Sequence, residues 1–143
     1  MIVTDTPLVR DSRARVEEAL LIELFGHPDP LVRELSLKAL QGVGGVRANA
    51  ELTQLLADPE PNVRAAVLKQ MAEKPSAKVV PQIAAYIAQE KDADLVVHAV
   101  RLLREIKGKE AVACLLTLLA HKSWQVRSEA IDAVGESIPN RSY

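Results

Sequence analysis

The chain has 143 residues, close to the usual single-domain size of about 100 to 150 residues. It is 48% hydrophobic and 26% charged, the balance of a globular chain and too apolar for disorder. With 18 basic against 19 acidic residues and 3% aromatics, it lacks both a cationic surplus for phosphate backbones and aromatic platforms for single strands.

No nucleic-acid partner is expected on those grounds. The one cysteine, Cys114, excludes an internal disulfide framework and a cysteine-based metal cluster. No run of about 18 apolar residues could span a membrane, and Met1 to Arg10 lacks the apolar core of a secretory signal. The lone thiol and the missing signal point to a cytoplasmic protein.

Aligning the chain with itself brings out a repeat. The segments His27-Pro28-Asp29-Pro30-Leu31-Val32-Arg33, Asp58-Pro59-Glu60-Pro61-Asn62-Val63-Arg64, Glu90-Lys91-Asp92-Ala93-Asp94-Leu95-Val96 and His121-Lys122-Ser123-Trp124-Gln125-Val126-Arg127 superimpose. Their apolar markers Val32, Val63, Leu95 and Val126 lie 31, 32 and 31 residues apart. A fixed period of that size is the mark of stacked structural repeats.

Each repeat reads as two helices. In the first, about 12–43, Leu21, Leu24 and Phe25 mark one helix. Val32, Leu35, Ala39, Leu40 and Val43 share a face of the next, which stops at Gly44-Gly45. In the second, about 46–74, Leu52, Leu55 and Leu56 precede a helix opened by Pro61 and closed by Lys74-Pro75. The third, about 77–107, starts at Ser76 as an N-cap, which puts Pro81 in the first turn, where proline is tolerated. Its faces are Ala84, Ile87 and Ala88, then Leu95, Ala99, Leu102, Leu103 and Ile106, with Gly108 as the stop. The fourth, about 109–138, carries Leu115, Leu118 and Leu119, then Val126, Ala130, Ala133 and Val134, and ends at Gly135 and Pro139. With no alternating β-branched run, the fold class is all-α: four antiparallel helix pairs in one domain, 1–143.

The segment Asp58-Pro59-Glu60-Pro61-Asn62-Val63-Arg64-Ala65-Ala66-Val67-Leu68 resembles the second helix of HEAT repeats, especially the short bacterial class called PBS-lyase HEAT-like repeats. Lys109 to Leu116 and Val79 to Ile83 resemble the first helix of that family. The resemblance covers about residues 12 to 138 and implies a right-handed, armadillo/HEAT-like α-solenoid. Such repeats bury their apolar faces only by stacking, and the end repeats need polar outer faces. Arg10, Asp11, Arg13, Arg15, Glu17 and Glu18 read as one cap, and Glu129, in the register of Leu35, Ala66 and His98, as the other. A complete small solenoid, expected to be a monomer, and a piece of a longer protein are both compatible with this pattern.

The resemblance also implies a structural ladder. Arg33, Arg64 and Arg127 share a register, with Asp29, Glu60 and Asp92 four residues earlier in theirs, and charge-assisted hydrogen bonds would tie repeats together. Val96 and Ser123 interrupt it.

In HEAT solenoids the second helices line the concave face. At 100° per residue, Lys38, Lys69, Arg101 and Arg104, with Val97 beside them, point away from the core. This row, with rungs about 10 Å apart, suits an acidic peptide or protein surface. Its plain alternative is ordinary solvated lysine and arginine. Trp124, at a helix start, is a candidate contact anchor.

Chemistry beyond binding finds little support. His27 and His121 lie three repeats apart, His98 reads as a packing residue, and the His-Glu pairs of the iron-binding HEAT-like hydroxylases are missing, so no metal is expected. Cys114 sits at a semi-buried position without a base. Gly42-Val43-Gly44-Gly45 follows a helix, whereas a phosphate loop opens one. A non-catalytic protein-binding scaffold without cofactors is the function expected. A bilin-lyase-like enzyme or subunit is the alternative, although four aromatics line a tetrapyrrole pocket poorly. A DNA-binding HEAT-like glycosylase relative comes third.

Overall fold

Proline opens three of the helices, where its missing N–H costs no hydrogen bond. In a computed structural model, which describes residues 7–40 and 46–137, these are α1 (Pro7–Leu24), α2 (Pro30–Leu40) and α4 (Pro61–Glu73). The others are α3 (Val46–Gln54), α5 (Val80–Gln89), α6 (Ala93–Ile106), α7 (Lys109–Thr117) and α8 (Trp124–Ser137). Short 3-10 turns at Leu55–Ala57, Ala77–Val79 and Leu118–Ala120 adjoin α3, α5 and α7. No strand occurs among the described residues, so the protein is all-α. Gly42-Val43-Gly44-Gly45, Pro139 and the side chains of Arg10 and Asp11, all used above, lie outside what is described.

The expected helix boundaries hold to within a few residues except at α1, which begins at Pro7. Ser76 accepts a hydrogen bond from the Lys78 N–H, and Pro81 falls in the first turn of α5, as the pattern predicts. The turn before each second helix is built the same way four times over. The residue five before the apolar marker caps the N–H two residues on. His27 Nδ1 accepts from Asp29 N at 3.0 Å and Asp58 Oδ1 from Glu60 N at 2.9 Å. Glu90 Oε1 accepts from Asp92 N at 3.1 Å and His121 Nδ1 from Ser123 N at 3.0 Å. Side-chain acceptors at turns satisfy backbone donors that the following helix leaves open.

The chain divides into two compact units between Val67 and Leu68, inside α4. In the first, α1 packs on α2 and α3, and Phe25, Leu37, Leu40, Leu52, Leu55 and Val63 are buried. In the second, α6 packs on α5, α7 and α8, and α7 on α5 and α8. Its core includes Leu68, Ile83, Val100, Leu103, Leu115 and Val126.

Two expected faces shift. On α2, Ser36, Leu37 and Leu40 are buried, while Leu35 is 54% exposed and Ala39 is exposed. The inward stripe runs four, five and eight residues past the apolar marker, as Val67, Leu68 and Met71 show on α4. Ser36 tolerates burial because its hydroxyl donates to Val32 O at 2.6 Å. On α5 the larger side chains Val80, Ile83 and Tyr86 go inward with Ile87, turning Ala84 and Ala88 to solvent. His98 is exposed and does not pack in the core. Nor is α1 a polar cap throughout: Val16 and Leu20 are 58% and 56% exposed among its charges.

Between α6 and α7 the backbone turns through two positive-φ residues, Lys107 (φ 61, ψ 179) and Gly108 (φ 93). Lys107 occupies a region that only glycine adopts without strain. Lys107→Gly is therefore expected to raise the melting temperature, by about 1 kcal/mol in stability. Gly108→Ala should lower it by about 1–3 kcal/mol in the same thermal melt, although the space around its Cβ is open.

Candidate functional site

Arg33 shows what the shared arginine register does. Its Nη1 donates to two carbonyls of the preceding turn, His27 O at 2.7 Å and Pro28 O at 3.2 Å. The other edge chelates a carboxylate of the next repeat, Nε to Asp58 Oδ2 at 2.8 Å and Nη2 to Oδ1 at 3.0 Å. Bidentate pairing of this kind is the strongest geometry available to an arginine. Burial pushes the Asp58 carboxyl up, but the Arg33 hydrogen bond, the Glu60 N–H and the charges of Arg33 and Arg64 outweigh it. They hold Asp58 below the ordinary carboxylate value.

The carboxylate of this rung is thus Asp58, not the predicted Asp29, Glu60 or Asp92. Asp29 and Asp92 instead cap their own helices, accepting from Leu31 N and Asp94 N, each at 2.9 Å. Glu60 contributes its backbone: its carbonyl accepts from Arg64 N and its N–H donates to Asp58. A residue four positions before the arginine starts the same helix and cannot bridge to a neighbour. Arg64 Nη1 repeats the carbonyl clamp on Asp58 O and Pro59 O, at 2.8 and 3.2 Å. Arg127 repeats it on His121 O and Lys122 O, at 2.6 and 3.1 Å.

The cationic row is more closely paired than its sequence suggests. Lys38 meets Glu34 on its own helix at 3.1 Å. Arg101 and Arg104 on α6 face α8, with Arg101 Nη2 3.2 Å from Glu129 Oε1 and Arg104 Nη2 3.7 Å from Glu129 Oε2. Arg104 Nε is also 3.2 Å from Glu136 Oε2, but poorly aligned, so this is a charge contact without a hydrogen bond. Glu129 therefore serves as a counter-ion, not an end cap. Lys69 is exposed, with no carboxylate partner among the described residues. Val97 is half-buried, and Trp124 is 69% exposed at the start of α8.

His27 and His121 cap turns, and among the described residues no group of three or more His, Cys, Asp or Glu could hold a metal ion. Cys114 is half-buried, and burial pushes its thiol up. No helix among the described residues is long and apolar enough to cross a membrane.

These observations define an all-α protein built on tandem repeats of about 31 residues, joined where described by an arginine–carboxylate rung. The family model for HEAT repeats matches residues 17–96 and 80–142, and the chain belongs to that family. No curated protein matches it.

Proposed function

We propose that the chain is a non-catalytic protein-interaction module. In this reading the second helices form one face of a right-handed solenoid, and Lys38, Lys69, Val97, Arg101 and Arg104 receive an acidic peptide or protein surface. Membership in the HEAT family supports the class, since these repeats commonly mediate protein–protein contacts. The observation that carries the site is the exposure of three of its four cations: Lys69 is exposed and unpaired among the described residues, and the Lys38 and Arg101 side chains are 57% and 56% exposed.

The existing ion pairs leave the row competent. An ion pair with an exposed member such as Arg101 contributes only about 0–1 kcal/mol, so an incoming carboxylate replaces Glu129 on Arg101 at little cost. Binding of a labelled oligoglutamate peptide, followed by anisotropy, should weaken with salt and weaken further in Lys69→Glu. Glu129→Gln, which releases Arg101 and leaves Arg104 with Glu136 alone, should tighten it. Affinity unchanged by both substitutions would make the row ordinary surface.

A further inference from the structure

One side of α8 is unlike its counterparts. Ile131 holds the place of Leu37, Leu68 and Val100, which are 0%, 1% and 0% exposed, yet Ile131 is 58% exposed. Trp124, Arg127, Ile131 and Val134 follow one another at three- and four-residue steps and share one side of the helix. Arg127 sits in that stripe with its Nη1 clamped on two carbonyls, as in Arg33. Its remaining edge, which in Arg33 chelates Asp58, meets no carboxylate among the described residues.

We infer that this side of α8 docks a helix–turn–helix segment of another polypeptide that carries an aspartate or glutamate in its turn. The carboxylate would take the Nε/Nη2 edge of Arg127, with the geometry Asp58 has on Arg33, while an aliphatic helix covers Ile131. A second copy of the chain fits poorly. In the place of Asp58 its first repeat offers His27, whose Nδ1 is occupied by Asp29 N, so its Nε2–H would point a donor at a donor. The inference does not depend on the cationic row: Lys69→Glu should leave it unchanged.

Trp124 is the sole tryptophan and reports directly on this side of α8. The full chain is titrated with a synthetic peptide of residues 46–74, which has no tryptophan and carries Asp58 in the matching turn. Because a free peptide must also fold, the same segment is appended after Tyr143 in a second arm. A blue shift of Trp124 emission is expected in at least one arm, saturable in the peptide titration and present from the start in the fused chain. Asp58→Asn in the peptide should weaken it on the order of tenfold or more, the worth of a hydrogen bond to a charged group. Ile131→Asp in the chain should abolish it while leaving the helical melt unchanged. No shift in either arm up to millimolar peptide, or equal binding by the Asn peptide, would overturn the inference. Concentration-dependent self-association that Ile131→Asp abolishes would also overturn it, by placing a second copy there.

Discussion

Asp58→Ala is expected to cost about 3 kcal/mol in a urea or thermal melt, the low end for removing one partner of a buried ion pair. The Asp58 side chain is 4% exposed and does three jobs at once: both oxygens hold Arg33, and Oδ1 also caps the Glu60 N–H. Without it a guanidinium faces the interior with one edge unmet, although the His27 and Pro28 carbonyls still hold the other. The effect also has a pH signature. Because the folded-state value of Asp58 lies below its unfolded value, ordinarily about 3.9, its contribution is fully present above that value. It is lost as pH falls through the lower, folded-state value. The gap in stability between wild type and Asp58→Ala should therefore be widest near neutrality and close in acid. A gap independent of pH would remove the carboxylate from the account.

Leu37→Ala is expected to cost about 2–5 kcal/mol, the range for deleting a fully buried leucine and leaving a cavity. Leu37 is completely buried and has Leu40 one turn further along the same stripe. Its neighbour Leu35, more than half exposed, provides the control: Leu35→Ala should change stability by less than about 0.5 kcal/mol. Equal losses at the two positions in denaturant melts would mean that α2 is rotated from the orientation described.

The contrast between Leu35 and Leu37 also marks how far the sequence could be read. Helix positions followed from the 31-residue period, the prolines and the stops, because these act locally. The inward face of α2 did not, since α2 is aliphatic on two sides and the face that won includes a serine. Ser36 reaches burial only through a backbone hydrogen bond that no hydropathy pattern shows. Tyr86 and Ile83 likewise outcompete small alanines for the interior of α5, a choice decided by volume and not by period.

The rung was readable but sought in the wrong direction. The useful signal compares an arginine with the capping residue of the following turn: Arg33 is followed by Asp58, whereas Val96, which replaces the arginine, is followed by His121. The glutamates that neutralise Arg101 and Arg104 were hidden for another reason. They come from α8, and only the packing of α6 on α8 brings them near.

That correspondence between helix and following turn gives the repeats a syntax. The turn headed by Asp58 follows a helix with arginine, and the turn headed by His121 follows one with valine. The units are consequently not interchangeable tiles. Inserting the fourth turn behind Arg33 would seat the His121 imidazole against a guanidinium, while the second turn would leave Asp58 buried beside Val96 with no cation to answer it. A duplication or deletion that keeps the Arg33 helix with the Asp58 turn conserves this joint, and one that separates them breaks it.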